Sequence, residues 1–316
     1  MKKRIIIDAD MGSDDYIAVQ MAILSKKFKT EGISLVFGNS SMDNVKKNLF
    51  KTLDMIGHNN KIKIYEGESS PIKDFGKIRR DNAFGYNGLG DVSYKEASGK
   101  IENKDAISWM IEKVNNNPNK ISIIALGPLT NIAKAIKKDN NFSKNIKELI
   151  VMGGSERFGN ITPYAEFNFY NDPEAVNIVY NSGIKNIITI GWNVAVNVPI
   201  TSDYEEFLKT SNNKNANFLY DITRVTSELD KKYGGTIISD ALTICYLLDK
   251  KSLVFKKANM TINSDDNDHL GESTFDYNEP YNCMNALSLD KKRVYKLVFN
   301  TLFPEEKKII KKLLNK

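Results

Sequence analysis

The sequence predicts an α/β fold: an open, mostly parallel β-sheet flanked by helices, in a single domain spanning residues 1–316. Two observations point there. Short apolar runs alternate with stretches of helical period along most of the chain, the pattern of repeated strand–helix units. No internal repeat and no linker rich in Gly, Pro or Ser divides the chain, whose 41% hydrophobic content is ample for one large core.

The elements follow in order. Residues 4–8 read as a buried strand and 14–25 as a helix with Ile17, Met21 and Leu24 on one face. "ISLVFGN" (33–39) is a second strand, "NVKKNLFKTLDMIG" a second helix ended by Gly57, and "IKIYEG" a third strand. "ISIIALG" (121–127) is a fourth strand that leads through a turn into the helix of "PLTNIAKAIKK", and 146–154 is a fifth. Asp172 is an N-cap with Pro173 at the first helical position. Residues 186–193 form a sixth strand. The polar helical region 203–233 reads as an insertion over the carboxyl rim of the sheet, and a further helix opens near Ser239–Asp240. Residues 258–277 form a hairpin. The tail is an amphipathic helix that docks Ile309, Ile310, Leu313 and Leu314 on the body.

Bulk properties exclude several classes. The net charge is +6, but Lys and Arg are spread along the chain without a basic block interleaved with aromatics, which argues against nucleic-acid binding. Cys245 and Cys283 make neither a metal-spaced pair nor a disulfide framework; they read as interior thiols in a reducing compartment. The basic start "MKKRIIIDAD" has too short an apolar run for a signal peptide, and no stretch approaches the ~18–20 apolar residues of a membrane span. The expectation is a cytoplasmic protein with no membrane partner.

The chemistry concentrates in "DADMGSDD", with Asp8, Asp10, Asp14 and Asp15 just after the first strand. Capping of the following helix accounts for Asp14 and Asp15 at about 0.3–1 kcal/mol each, but not for Asp8 and Asp10. Several carboxylates on one tight loop match a hard divalent cation. Two metal chemistries begin from such a strand end. Phosphoryl transfer with the first Asp as nucleophile needs a later acidic pair, which "GDVSY" at Gly90–Asp91 lacks. Hydrolysis by a water that the metal activates, with an Asp as general base, gains support from the rest of the chain.

The remaining motifs favour the second chemistry. "DADMGSDD", with Met11 where Pro is usual, "FGNSS", "GLGD" (88–91), "ALGPLTNIA" (125–133), "VMGGSERFGNITPYAEFNFYNDPEA" (151–175) and "SDALTICYLLD" occur in order over nearly the whole chain. Together they resemble the inosine–uridine preferring nucleoside hydrolases. The resemblance implies Ca²⁺-dependent hydrolysis of the N-glycosidic bond of ribonucleosides to free base and ribose. It implies Ca²⁺ ligands at Asp10, Asp15, Asp240 and the carbonyl of Leu126, with Asp10 taking the proton of the water and Asp8 supporting the loop. Sugar-binding positions would be Asp14, Asn39, Asn160, Glu166 and Asn168, with Met152 against the ribose. An extended "AEFNFYND" would put Glu166 and Asn168 on one face. A homo-oligomer, dimer or tetramer, is implied in the same way.

The chain departs from the family where the leaving base is protonated. Ser239 and Phe84 stand at the positions of two family histidines, and His58 and His269 read as surface residues. Tyr86, Tyr220, Tyr233 and Tyr281 are substitutes for the missing acid among which the sequence does not choose. The loss keeps open a catalytically weak ribonucleoside- or ribose-binding protein, or an N-ribohydrolase for an unusual substrate.

Overall fold

The computed structural model describes residues 1–76, 82–265 and 267–315. Its first strand, β1 (Lys3–Ala9), shows why three isoleucines run together. Ile5, Ile7 and Ala9 pack into one apolar cluster and Ile6 into another, so the strand is buried on both faces.

The other strands are β2 (Phe28–Leu35), β3 (Ile64–Glu66), β4 (Ile121–Ala125), β5 (Glu148–Met152), β6 (Ile187–Ile190), β7 (Pro199–Ile200), β8 (Thr236–Ile237), β9 (Leu253–Ile262), β10 (Ser273–Asp276) and β11 (Cys283–Leu289). Nine of them form one sheet in the order β10-β9-β11-β6-β5-β4-β1-β2-β3. The run from β3 to β11 is parallel, and β9 and β10 add an antiparallel edge. The strand order reverses between β1 and β4, where Asp8 pairs with Ala125. In open sheets of this kind, the crevice outside the carboxyl ends at such a switch point is where ligands bind. The predicted fold class is the observed one.

β7 and β8 pair with each other and bracket the helices Ser202–Thr210 and Lys214–Leu229. This is the predicted insertion, closed by a turn of 3₁₀ helix at Lys231–Tyr233. Asp172 caps the Pro173–Tyr180 helix by accepting the Ala175 N–H. The 258–277 hairpin appears as β9 and β10.

Some expectations need correction. β2 begins at Phe28 and ends at Leu35: the Val36 N–H still bonds the Ala9 carbonyl of β1, but Phe37 turns away to bond Glu68. In the tail helix Lys307–Leu313, Ile310 is buried and Leu313 and Leu314 pack partly, but Ile309 is 45% exposed. The helices Ala106–Asn115 and Lys291–Leu302 and strand β11 were not read from the sequence. Both cysteines are buried and free. Among the described residues no helix is long and apolar enough to cross a membrane.

Candidate active site

The floor of the site is the turn that links β1 to the Ser13–Leu24 helix. Met11 takes φ +50°, a conformation closed to the proline usual at this position in the family motif. Asp15 accepts the Gly12 N–H at 2.8 Å, and Asn39 Nδ2 reaches the same oxygen at 3.4 Å. Asp10 Oδ2 accepts the Asn39 N–H at 2.9 Å. A methyl group on Gly38 would lie 1.9 Å from Asp10 Oδ2, so only glycine leaves room for this carboxylate. Asp14 Oδ2 accepts the Ser239 hydroxyl at 2.6 Å.

Asp240 enters from the opposite end of the chain, at the head of the Ala241–Leu248 helix. One carboxylate oxygen from each of Asp14, Asp15 and Asp240 lies within 4.8 Å of the others. Asp10 stands beside them and adds its charge to theirs. All four are buried, and among the described residues none forms an ion pair with a basic side chain. Burial first, then mutual repulsion, pushes Asp10 and Asp240 well above the usual carboxylate range. The same causes push Asp15 to about 7. Among the described residues Asp15 Oδ1 and Asp240 Oδ1 have no hydrogen-bond partner. Converging buried carboxylates with orphaned oxygens fit a hard divalent cation.

Asp8 points away from this cluster. Its Oδ1 accepts Ser34 Oγ at 2.5 Å and Asn131 Nδ2 at 2.8 Å, and its carbonyl accepts the Leu126 N–H at 2.8 Å. It ties β1, β2 and the segment after β4 together.

Above the floor is a cavity of about 300 Å³, the lower end of the range for small-molecule sites. It brings together every sugar-binding position expected from the resemblance: Asp14, Asn39, Met152, Asn160, Glu166 and Asn168. Leu126 and Asp240 also line it, while Asp10 and Asp15 lie beneath. Asn168 Nδ2 donates to the carbonyls of Leu126 (2.7 Å) and Met152 (3.1 Å), which leaves its Oδ1 as the group it can offer a sugar. Glu166 and Asn168 meet the cavity differently from the expected extended segment. Glu166 caps the short Phe167–Asn171 helix and accepts the N–H groups of Gly154, Asn168 and Phe169. Its burial pushes the carboxyl up to about 7. Asn160 sits exposed at the mouth, its Oδ1 accepting the Phe167 N–H at 2.8 Å.

The outer wall carries Phe84, Trp192, Thr226, Leu229, Asp230, Lys232, Tyr233, Ile237 and Ser239. Phe84 is placed by the "GLGD" loop, where Gly90 N–H bonds the Phe84 carbonyl at 2.7 Å. Of the four tyrosines, only Tyr233 lines this cavity, its ring edge-on to Trp192 at 6.0 Å. Tyr86 is 78% exposed, Tyr220 lines a separate surface groove, and Tyr281 lies under Lys257. His58 bonds the Ile56 carbonyl, and His269 bonds Glu272 while stacking on Tyr164; neither lines the cavity. Trp192, Asp230 and Lys232 were not anticipated. The only sequence signal for the last two was the "DKKYGG" turn between the insertion and "SDALT".

Fold and site together define an enzyme of the open α/β class, with a carboxylate floor at the switch point and a polar wall of Asn and Glu above it. The inosine-uridine preferring nucleoside hydrolase family model matches residues 5–296, and the chain belongs to that family. It is accordingly a hydrolase of N-glycosyl compounds. It is 34% identical over 262 residues to probable uridine nucleosidase 2 of Oryza sativa subsp. japonica, covering 81% of this chain and 77% of that one. It is 36% identical over 256 residues to uridine nucleosidase 1 of Arabidopsis thaliana, covering 80% and 73%. Among solved structures it resembles a plant nucleoside hydrolase, the PpNRh1 enzyme, with a TM-score of 0.89 and 27% identity over 96% of this chain and 99% of that one.

Proposed function

We propose that this chain hydrolyses the N-ribosidic bond of ribonucleosides to free base and ribose in a Ca²⁺-dependent reaction. The observation that carries the reading is the set of buried carboxylates with orphaned oxygens directly under a wall of Asn and Glu. Asp10, Asp15, Asp240 and the Leu126 carbonyl would hold the ion. Asp14 is better suited to a sugar hydroxyl: its Oδ2 is engaged by Ser239, and it lines the cavity whereas Asp15 lies beneath it. When bound, Ca²⁺ would act as a Lewis acid, accepting sugar hydroxyl oxygens as ligands and polarising a water.

The chain's own groups do the rest. Asp10, held by the Asn39 N–H, takes the proton of the attacking water. Asp14, Asn39, Asn160, Glu166 and Asn168 hold the ribose, whose hydroxyls both donate and accept, while Met152 lies against the ring. As the bond to the base breaks, positive charge grows on the sugar, and the carboxylate floor stabilises it. The names of the plant relatives make uridine the first substrate to try. A single domain is supported by the one sheet that takes strands from Lys3 to Leu289. Two free, buried cysteines support a cytoplasmic location, and the resemblance supports a homo-oligomer.

The test is ribose release from a panel of purine and pyrimidine nucleosides, in CaCl₂ and in EDTA. Release in Ca²⁺ that EDTA abolishes is expected. Ribose or nucleoside binding without release would favour the weak-binder alternative, and release unaffected by EDTA would remove the Ca²⁺ assignment.

A further inference from the structure

We infer that Asp230 is the group that meets the leaving base and carries its proton. This rests on the proposed hydrolysis and concerns the side of the cavity where Ser239 and Phe84 replace histidines.

Neither replacement supplies the proton. The Ser239 hydroxyl donates to Asp14, toward the floor, and Phe84 has no acidic hydrogen. Asp230 lines the same cavity. It is the residue that ends the Lys214–Leu229 helix, its N–H bonded to the Thr226 carbonyl at 2.8 Å. Its Oδ2 accepts the Ile237 N–H at 3.1 Å. Ile237 is two residues before Ser239, so the carboxyl is pinned to the segment that carries the family's acid position. Among the described residues Oδ1 has no protein partner and is free to face a ligand.

The surroundings favour the protonated form. The carboxyl is half-buried at a helix C-terminus, where carbonyl dipoles oppose a negative charge. Asp14 opposes it further from across the cavity, while the Ile237 N–H and, more weakly, Lys232 two residues on favour the charge. Burial leads these causes, and together they push the group up to about 6. In the proposed reaction Asp10 on the floor is the base and Asp230 on the outer wall is the acid, so the two proton transfers take place on opposite sides of the cavity.

The step balances. The water oxygen bonds to C1′ and its proton passes to Asp10. The C1′–N electron pair goes to the base, which takes the Asp230 proton. Asp230 is left as a carboxylate and Asp10 protonated, and exchange with solvent restores both.

The experiment compares wild type with Asp230→Asn, which keeps an oxygen for the Ile237 N–H. Two substrates are used: uridine, and p-nitrophenyl β-D-ribofuranoside, whose leaving group departs without a proton. Wild type should cleave both. Asp230→Asn should lose about 10²–10³-fold on uridine, within the usual contribution of a general acid, and less than about threefold on the nitrophenyl riboside. The ratio of the two rates in one sample does not depend on how much of the variant has folded. Asp230→Glu should recover part of the uridine rate. If both rates fall equally, or neither falls, Asp230 is not the acid. If wild type cleaves neither substrate, the hydrolase reading fails with it.

Discussion

Ser239 and Asp14 lie 225 residues apart in sequence, and the hydroxyl of one donates to the carboxylate of the other at 2.6 Å. This bond joins the turn after β1 to the head of the Ala241–Leu248 helix, and it sets the direction in which Asp14 faces the cavity. Hydrogen bonds to charged groups contribute about 1.5–3 kcal/mol. Ser239→Ala should therefore lower the melting temperature by a few degrees. It should raise KM for the nucleoside more than it lowers kcat, which steady-state kinetics would reveal.

Asp10 is the base of the proposed reaction, and Gly38 is what gives it room. Asp10→Asn should keep the fold and ribose binding while lowering turnover by about 10³-fold or more, measured as ribose release. Gly38→Ala should approach the same loss through a different cause, because its methyl group would meet Asp10 Oδ2 at 1.9 Å. It should also cost about 1–3 kcal/mol in denaturant unfolding, as overpacking does. Unchanged turnover in Asp10→Asn would remove its assignment as base.

Buried like charges without a counter-ion destabilise the protein that contains them, so the floor makes stability depend on the cation. Ca²⁺ at about 100 times its Kd should stabilise the fold by about 2.7 kcal/mol, seen as a rise in melting temperature over EDTA. Asp240→Asn should raise the melting temperature in EDTA by removing one repelling charge, and should shrink the Ca²⁺-dependent rise. A variant as responsive to Ca²⁺ as wild type would show that Asp240 is not a ligand.

Glu166 titrates with the opposite sign to a salt-bridged acid. Burial raises its folded pKa to about 7 from an ordinary 4.5. The folded state then holds a proton that the unfolded state releases between those values. The contribution is fully present below pH 4.5 and is lost as pH rises through 7. The shift corresponds to about 3 kcal/mol. Urea unfolding in EDTA should show wild type losing more stability than Glu166→Gln between pH 5 and pH 8. The comparison cancels the similar trend of the floor acids, and equal losses would contradict the burial argument.

Much of the site was legible because its residues sit at strand ends. Asp10, Asn39, Leu126 and Met152 lie in or just after apolar runs, and a parallel sheet delivers such positions to one rim. Glu166 and Asn168 were found by motif but given the wrong conformation. Alternation of two residues reads as a strand, yet here Glu166 caps a helix by accepting three backbone N–H groups. The outer wall was hidden. Asp230 and Lys232 sit in a polar turn whose composition is that of any exposed loop, and Trp192 opens a four-residue helix after β6.

By itself, the sequence determined the sheet, its parallel core and the acidic floor, because hydrophobic period and strand-end position are local properties of the chain. Tertiary structure alone decided which wall residue faces the base. That choice depends on where the insertion between β7 and β8 lays the end of its second helix, a long-range packing outcome. The same packing turned Ser239 toward Asp14, left three of the four tyrosines outside the cavity, and set Asp230 against its rim. Side-chain direction across such distances is fixed by contacts between elements far apart in the chain, and no local pattern encodes it.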